Sequence, residues 1–540
     1  MLRHMRIGLF HGYELSGSGS NEYTRYLAKA LDTAGHEVHV LCREPHPEAL
    51  AGVRRAVRWG GDGASEVLFD REGPGYAVHV LPHGEVRPVF VTDKQREGRV
   101  QAFVDLSEED LAAYTALTTA AVTAVLRATP LDVLHANHVI LQPTIAAAAC
   151  AAVGVPFIIY PHGSAIEYAV RRQERYRRLA GEAIAASAGL IIGSREVQRR
   201  LFELYPDLRQ RIEERTEIVG VGVDTALFNP LPRAERAASI AALVAAAPSG
   251  GRPPALRVEL ARRLAAKDFD VFTDQRSAYR REHPDADAAG HLAKIPFTTG
   301  KIMLFVGALT VGKGLQSLLA AMPAILAKEP DTHLVIVGSG AFREVLEGFT
   351  DALASGNGAL VDELVRRGND LEDTHLEGPW LDVAAYLADP ALRAVALGAG
   401  PKLAAHVHFL GRLGHEYLHH LFPCADVAVF PSVVPEAYPL VLMESLANGV
   451  VPAASDFSGF AEGLDHLIPH LGEARVQSMR LPLADDVRVG GIAAKLSTLL
   501  ADVATNDLTS QLRQIAATEY DWSVRAAAMV KAYARLIAPT

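Results

Sequence analysis

The sequence predicts an α/β protein made of two doubly wound domains that face each other across a cleft. Two blocks of the chain each alternate short apolar runs with segments of helical spacing. Such alternation is typical of parallel sheets that are covered by helices on both faces. Because ligands of these sheets bind beyond the carboxyl ends of the strands, we expect the active site between the two domains.

Composition agrees with two substantial hydrophobic cores and argues against nucleic acid as a partner. The 540 residues are 49% hydrophobic and 21% charged, well outside the range of disordered chains. The net charge of -10 comes from 63 acidic and 53 basic residues mixed along the chain. No long basic stripe is present that would neutralise a phosphate backbone.

Cysteine usage and apolar runs indicate a cytoplasmic protein. Cys42, Cys150 and Cys424 have neither paired nor metal-ligand spacing, which favours a reducing compartment. The apolar run at residues 5–10 is too short for a signal peptide. The later apolar runs are too short or too interrupted to cross a bilayer, so we expect no transmembrane helix.

The first domain is expected over residues 1–225 and begins with a βαβ unit. The predicted strands are residues 6–11, 38–41, 132–135, 157–160 and 190–192, and the predicted helices include residues 23–34 and 142–153. A Gly/Ser loop separates the first strand from the first helix.

The second domain is expected over residues 299–519. Its predicted strands are residues 302–306, 334–337, 407–410 and 427–430. Residues 231–298, with Pro-Ser-Gly-Gly at 248–251, are predicted to be a mainly helical insertion at the junction. A second insertion of the same kind is predicted near residues 345–403, and neither insertion can be assigned a function.

The strongest chemical motif lies between residues 430 and 449. A strand ends at Pro431, a loop carries Glu436, Pro439 suits the first helical position, and Glu444 lies inside the helix. Free N–H groups at a helix start can bind a diphosphate or sugar hydroxyls. A carboxylate one or two turns later can accept hydrogen bonds from a ribose, so the two glutamates address opposite ends of one ligand.

This segment resembles the E-x7-E signature of retaining GT-B glycosyltransferases, the large family four or glycosyl transferases group 1. The resemblance implies two Rossmann-like domains, with the C-terminal helix at 520–540 crossing back to the first. It implies that Glu436 contacts the transferred hexose and Glu444 the ribose hydroxyls. The alternative is two solvated glutamates that flank an ordinary helix start.

The resemblance extends to other residues of the donor site. Donor-binding residues after Glu436 are Pro439, Leu440 and Val441, where Tyr438-Pro439 replaces the family's usual Phe-Gly. Residues 456–463 resemble the Gly-Gly-x-x-Glu segment that closes the donor pocket, with Ser458 in place of one glycine. The altered residues leave the sugar specificity open.

Two matches fall in the first domain. Gly19 and Ser20 resemble the family's first-strand loop, where small residues let the backbone approach phosphate or acceptor, although a plain flexible loop is the alternative. His162 follows a strand at the position of the family's His-Gly, which approaches the donor sugar. The alternative for His162 is a structural histidine.

In the second domain, residues 306–315 resemble the family's diphosphate clamp. Lys313 is retained, but Ala308 stands where the family carries a phosphate-binding arginine. Arg412, in the segment that usually packs near the nucleobase, is a candidate substitute, and a solvated surface arginine is the alternative.

Two further patterns are interpreted as solvated charges. The triplets at residues 268–270 and 285–287 have Asp-x-Asp spacing but no preceding buried strand, so we expect no metal site and no cofactor. The Arg-rich run at residues 171–178 is expected to be a solvated helix face, with weak contact to anionic lipid as the alternative.

The resemblance implies metal-independent, retaining transfer of a hexosyl group from a nucleotide sugar to a hydroxyl acceptor. We expect a UDP- or GDP-sugar, for example UDP-glucose, and a front-face mechanism in which His162, Glu436 and Lys313 stabilise the transition state. Two alternatives stay open. One is a nucleotide-sugar epimerase or hydrolase of the same fold, and the other is a non-catalytic sugar-nucleotide binding protein.

Overall fold

A computed structural model of the chain describes residues 4–15, 17, 19–90, 99–372, 376–502 and 508–538. The chain divides into two compact units. The first comprises Met1–Asp224, Ala437–Leu440 and Thr518–Thr540, and the second comprises Thr225–Glu436 and Val441–Ala517. Each unit contains its own mainly parallel sheet, in agreement with the predicted α/β class.

The first unit alternates strands and helices. Its strands are β1 (Arg6–Phe10), β2 (Glu37–Cys42), β3 (Val53–Trp59), β4 (Ser65–Asp70), β5 (Tyr76–Val80), β6 (Val86–Val89), β7 (Arg99–Ala102), β8 (Val133–Asn137), β9 (Phe157–Tyr160), β10 (Gly189–Ile192) and β11 (Thr216–Ile218). Its helices are α1 (Gly19–Thr33), α2 (Glu108–Ala128), α3 (Gln142–Ala151), α4 (Gly163–Ala165), α5 (Glu174–Ala186), α6 (Arg195–Leu204), α7 (Arg209–Glu214) and, numbered last in the chain, α25 (Trp522–Ile537).

The large sheet of the first unit has the strand order β11-β10-β9-β8-β1-β2-β5-β3-β4. Neighbouring strands are parallel except for β3 and β4, which are antiparallel. Strands β6 and β7 form a separate parallel pair. Because β9, β8 and β1 are adjacent, the residues that follow them meet at one carboxyl edge of the sheet, where ligands of such sheets bind.

Helix α2 corrects the expectation about apolar runs. It is the one helix in the described part of the chain that is long and apolar enough to cross a membrane, judged by length and composition. Its Leu111, Val122 and Leu126 lie in the hydrophobic core of the first unit. A core helix passes the same test, because its buried face is as apolar as a membrane segment.

The second unit has a six-stranded sheet. Its strands are β12 (Lys301–Val306), β13 (Thr332–Val337), β14 (Val407–Phe409), β15 (Val427–Phe430), β16 (Val451–Ser455) and β17 (Arg480–Leu481). Their order is β14-β13-β12-β15-β16-β17, and all neighbours are parallel. The loops after β12 and β15 are therefore neighbours at the carboxyl edge.

Helices cover this sheet and fill the predicted insertions. The helices are α8 (Arg236–Ala246), α9 (Pro254–Ala265), α10 (Val271–Gln275), α11 (Ala288–Leu292), α12 (Leu315–Lys328), α13 (Arg343–Ala354), α14 (Gly358–Arg367), α15 (Leu381–Ala388), α16 (Pro390–Gly398), α17 (Pro401–His406), α18 (His415–Leu421), α19 (Leu440–Ala447), α20 (Ser458–Asp465), α21 (Ile468–Leu471), α22 (Glu473–Met479), α23 (Arg488–Asp502) and α24 (Thr509–Ile515). Short 3₁₀ turns include Val311–Lys313 and Gly368–Leu371.

The prediction that the Asp-x-Asp triplet at residues 285–287 is solvated is partly wrong. Asp285 is only 4% exposed, and its Oδ1 accepts a 3.0 Å hydrogen bond from Arg343 Nη1, while Arg343 also pairs with Glu347 at 2.9 Å. Burial raises the pKa of Asp285 to about 6 although Arg343 opposes the shift. The segment before α11 packs against α13, and the buried guanidinium of Arg343 in α13 needs an opposite charge nearby. No local sequence pattern predicts that contact.

Candidate active site

The loop after β12 contains the predicted diphosphate lysine. The 3₁₀ turn Val311–Lys313 leads into Gly314, which caps α12 with φ +71°. A Cβ at position 314 would lie 1.8 Å from the carbonyl oxygen of Pro431. Glycine is required here because it accepts the left-handed conformation and lets the loops after β12 and β15 meet at backbone distance.

Hydrogen bonds join these two loops around Lys313. The carbonyl of Gly312 accepts a 2.8 Å bond from Val433 N and lies 3.1 Å from Ser432 Oγ. Lys313 Nζ lies 2.5 Å from Glu436 Oε1, and Ser432 Oγ lies 3.2 Å from the same oxygen. Lys313 and Glu436 were predicted from separate motifs, and the fold brings them together in one ion pair.

The backbone of Glu436 is held by the start of α20. Ser458 Oγ and Gly459 N both donate to the Glu436 carbonyl, at 2.7 and 3.0 Å. Ser458 has φ +57°, which is uncommon for a residue other than glycine. The resemblance places glycine at this position, so the backbone keeps the conformation of a glycine while the serine hydroxyl adds a bond to Glu436.

Glu444 lies in the second turn of α19 and is 3% exposed. Its Oε1 is 3.0 Å from His415 Nε2 at the start of α18. Its Oε2 is buried and has no hydrogen-bond partner in the described part of the protein. A buried carboxylate oxygen is costly without a donor, so this atom suits a ligand hydroxyl or an ordered water.

Helix α19 starts one residue later than predicted. Leu440 is its first residue, so Pro439 immediately precedes the helix, and Leu440 and Val441 form its first turn. The N–H groups of a first turn have no partner within the helix and carry the positive end of its dipole. This end of α19 therefore suits a phosphate or a hydroxyl group.

Position 308, where the resemblance places a phosphate-binding arginine, supplies no cation in the second unit. Ala308 is exposed just after β12. Arg412, after β14, is partly exposed, and its guanidinium makes no hydrogen bond or ion pair with any residue that the structure describes. The neighbouring Gly411 forms an antiparallel bridge with Pro284, which fixes the backbone of this loop through the insertion.

His162 belongs to a polar cluster in the first unit. Its Nε2 lies 2.9 Å from Asn137 Oδ1, and its ring packs against His138 with centroids 4.8 Å apart. Burial, followed by the nearby His11 and His135, lowers the pKa of His162 well below its ordinary value. The imidazole is therefore neutral near pH 7, and with Nε2 donating to Asn137 its Nδ1 is an acceptor.

The rest of this cluster contains polar atoms without protein partners. His138 has φ +68°, and both of its ring nitrogens are buried without a hydrogen bond to any described residue. Asn137 Nδ2 and Gln142 Oε1 are also buried without a hydrogen bond to any described residue. In contrast, His11 Nε2 pairs with Asn21 Oδ1 at 2.8 Å. Such atoms need ligand hydroxyls or ordered water, and they lie where β1, β8 and β9 end.

Gly19 and Ser20 are placed differently from the prediction. The expected loop is the first turn of α1, which begins at Gly19. The prediction erred because small residues also start helices when the following residues have helical spacing. Their backbone N–H groups lie at a helix N-terminus, which still suits an anionic or hydroxyl ligand.

The remaining charged patterns are accounted for by ion pairs. Asp268 pairs with Arg263 at 2.6 Å, and Arg175 of the Arg-rich run pairs with Glu108 at 2.8 Å. In the part of the chain that the structure covers, no group of three or more His, Cys, Asp or Glu could hold a metal ion. Metal-independent action and weak lipid contact stay predictions.

Two functional candidates escaped the sequence reasoning. Ser432 and His415 contact Glu436 and Glu444, respectively. Ser432 lies within the motif at 430–449 but was given no role, and His415 belongs to no recognisable motif. His415 is far from Glu444 in the sequence, and a lone histidine gives no signal of its partner. Ser432, which directly follows the end of β15 and Pro431, could have been proposed from that position.

Two family models match the chain. The one described as "Glycosyl transferase 4-like domain" matches residues 18–222, and the one described as "Glycosyl transferases group 1" matches residues 291–360 and 399–469. Together they cover more than half of the chain. Residues 223–290 and 361–398 lie outside both matches and overlap the two predicted insertions.

Curated relatives match part of the chain. A phosphatidyl-myo-inositol mannosyltransferase of Mycobacterium tuberculosis is 26% identical over 237 residues, which are 43% of this chain and 47% of that protein. A glycogen synthase of the same organism is 25% identical over 242 residues, 45% of this chain and 44% of that protein. The chain thus spans about half the length of the curated relatives it matches.

Solved structures match nearly the whole chain. Sucrose-phosphate synthase from Thermosynechococcus elongatus has a TM-score of 0.55, 18% identity and coverage of 99% of both chains. Anabaena HepE in complex with UDP-glucose has a TM-score of 0.53, 14% identity, and coverage of 98% of this chain and 100% of that one. At these identities the likeness shows the fold alone, and it confirms the predicted GT-B class of two Rossmann-like domains.

Proposed function

Because the chain belongs to the group 1 glycosyltransferases, we propose that it transfers a hexosyl group from a nucleotide sugar to a hydroxyl acceptor. The proposed donor is a UDP- or GDP-sugar, the anomeric configuration is retained, and no metal ion is required. HepE was solved with UDP-glucose and one relative is named a mannosyltransferase, which supports a glucosyl or mannosyl donor.

The ion pair between Lys313 and Glu436 carries this proposal. It joins a cation suited to a diphosphate with a carboxylate suited to sugar hydroxyls, directly before the start of α19. The pair is 29% and 20% exposed, so a ligand can compete for it. The donor diphosphate replaces Glu436 as the partner of Lys313 and frees the carboxylate for the hexose.

The proposed transfer is a front-face displacement. The acceptor oxygen forms a bond to the anomeric carbon on the face from which the diphosphate oxygen departs. The departing phosphate takes the acceptor's proton, and Lys313 with the first-turn N–H groups of α19 stabilises its charge. His162, neutral in the first unit, is proposed to act on the same donor sugar through a hydrogen bond.

A second candidate function is binding of a sugar nucleotide without turnover. The exposed Ala308, which offers no cation to the phosphates, is the observation that favours it. Tight donor binding without product over a broad acceptor panel would support this alternative. Conversion of the donor in the absence of any acceptor would instead support the epimerase or hydrolase.

The proposal is tested first by ligand binding and then by substitution of Lys313. UDP-glucose, GDP-mannose and ADP-glucose are screened by thermal shift, because a ligand of the folded state must raise its melting temperature. The preferred donor then serves in binding and transfer assays. We expect Lys313→Ala to weaken donor binding at least about tenfold, as loss of a charge-assisted contact does.

Lys328→Ala is the matched control, since Lys328 is exposed at the far end of α12. It should bind the donor like the unaltered protein. If Lys313→Ala left both donor affinity and transfer rate unchanged, the assignment of Lys313 to the diphosphate would be wrong. If no nucleotide sugar stabilised the unaltered protein, the proposed function itself would fail.

A further inference from the structure

Glu372 is a buried carboxylate that the proposed reaction does not use. It follows the 3₁₀ turn Gly368–Leu371, within the stretch 361–398 that neither family model matches. Glu372 is 3% exposed, and its Oε2 accepts a 2.8 Å hydrogen bond from the backbone N–H of Val311. Val311 opens the 3₁₀ turn that carries Lys313.

The peptide groups of Val311 are held on both sides. Its N–H donates to Glu372, and its carbonyl accepts a 3.2 Å hydrogen bond from Gln316 Nε2 in the first turn of α12. Val311 itself is 1% exposed, so its side chain is also enclosed. The turn is therefore fixed two residues before Lys313, and one of the two side-chain contacts comes from outside the matched family region.

The segment that carries Glu372 is itself anchored. Asn369 N donates to the Gly378 carbonyl at 2.8 Å, and Gly378 N donates to Asp370 Oδ1 at 2.9 Å. Trp380 packs edge-on against Phe349 of α13 with ring centroids 5.1 Å apart. Because these contacts tie the segment to the body of the second unit, Glu372 presents its carboxylate to Val311 from a fixed position.

The surroundings of Glu372 are poor in charge. Burial raises the pKa of Glu372 to about 7, the bond from Val311 opposes the shift, and Arg276 is the charged group that also opposes it. Arg276 Nε donates to the Ala341 carbonyl at 3.1 Å. Burying the Glu372 carboxylate costs desolvation energy that a neutral side chain would not cost. The bond to Val311 is therefore the contact that accounts for an acidic residue at this position.

We infer that Glu372 is a positioning residue for the diphosphate site: it holds the turn Val311–Lys313 in the conformation from which Lys313 meets the donor. This inference rests on the proposed function. It assigns a role to the stretch 361–398, which supports the β12–α12 loop from outside the matched family region.

The test separates binding of the diphosphate from binding of the nucleoside. UDP, GDP and ADP are compared by calorimetry, and the best of them is then compared with its nucleoside by ligand-observed NMR. We expect Glu372→Ala to weaken the diphosphate about tenfold and the nucleoside less than about twofold, because only the phosphates meet the turn. Glu372→Gln, whose amide oxygen can accept from Val311, should restore affinity to within about threefold.

Two further variants complete the design. Glu377→Ala removes an exposed glutamate from the same loop and should change neither affinity. Val311→Pro removes the backbone N–H that donates to Glu372. Proline suits the first residue of the turn because the preceding residue, Thr310, is already extended. This variant should reproduce the loss seen in Glu372→Ala, and the double variant should lose no more than either single one.

Equal weakening of diphosphate and nucleoside would overturn the inference, because it would show a general disturbance of the second unit. Unchanged diphosphate affinity in both Glu372→Ala and Val311→Pro would overturn it as well. These results are distinct from failure of the proposed function, in which the unaltered protein would bind none of the three nucleoside diphosphates.

Discussion

Individual residues of the candidate site differ in how firmly they are held. Lys313 and Glu436 form a partly exposed pair, and such pairs add little to stability and exchange partners readily. Glu444 is buried and fixed by His415, so it is a rigid acceptor for a ligand hydroxyl. The partly exposed charges thus lie where phosphate and sugar are proposed to bind, and the buried charge lies where the ribose is proposed to bind.

Position 308 offers a gain-of-affinity test at this scale. Ala308 is exposed, so Ala308→Arg places a guanidinium in open space beside the β12–α12 loop. We expect nucleoside diphosphate binding to tighten about tenfold, because a guanidinium can pair with phosphate through two hydrogen bonds. Calorimetry measures the change. Ala308→Gln is the control of similar reach without charge, and equal affinities of the two variants would contradict a phosphate at this position.

Secondary-structure elements position the site through the crossing of two loops. The connections after β12 and β15 touch at Gly314 and Pro431, and Gly312 accepts the hydrogen bond from Val433. Neighbouring parallel strands make this meeting possible, since β12 and β15 are adjacent in the sheet. The site is therefore as rigid as the strands that carry it.

Gly314→Ala tests this crossing. The added Cβ would fall 1.8 Å from the Pro431 carbonyl oxygen in a backbone with φ +71°, so both space and conformation oppose it. We expect a loss of about 3 kcal/mol or more in the free energy of unfolding of the second unit, together with loss of donor binding. Urea unfolding followed by hydrogen exchange of β12 and β15 measures the effect.

Gly398→Ala is the control for that substitution. Gly398 ends α16, and a Cβ there would meet nothing within 4 Å. Alanine has the higher helix propensity, so stability should stay equal or rise by up to about 1 kcal/mol. Similar losses in both variants would show that the contact with Pro431 is not what requires glycine at position 314.

At the scale of the whole molecule, buried neutral histidines make stability depend on pH. Burial lowers the pKa to about 4 for His11 and His333 and to about 3 for His79, His135 and His408. Below pH 6.5 the unfolded chain binds protons that the folded protein excludes. Stability should therefore fall as pH decreases from about 6.5 to about 4, by up to about 1.4 kcal/mol per pH unit for each histidine.

Three buried acids, among them Glu344, have raised pKa values that oppose this trend, but the histidines outnumber them. The pKa values of Glu372 and Asp285 are raised by burial to about 7 and about 6, so their ionisation costs stability as pH rises.

His79→Gln tests the contribution of the buried histidines to this pH dependence. Gln is a suitable replacement because it can still accept the 3.0 Å hydrogen bond from Trp59 Nε1. Denaturant unfolding of this variant should depend less on pH between 4 and 6.5. The exposed His46→Gln should keep the original dependence, and an unchanged slope in His79→Gln would contradict the assignment.

The sequence by itself determined the class of the fold and most central strands. Strands β9 and β15 have the predicted bounds, because apolar periodicity depends only on nearby residues. The motif around Glu436 and Glu444 likewise identified the family from local spacing. Residues 43–131 gave no such assignments, and the antiparallel addition of β4 to the sheet was not predicted.

Only the tertiary structure decided which of these residues act together. The pairing of Lys313 with Glu436, of Glu444 with His415 and of Glu372 with Val311 joins segments that are distant in sequence. The first two pairs depend on the strand order of the second unit, and the third depends on the packing of a segment outside the matched family regions. Local patterns specify which elements form, whereas the burial and neutralisation of charge depend on contacts that exist only once those elements are packed.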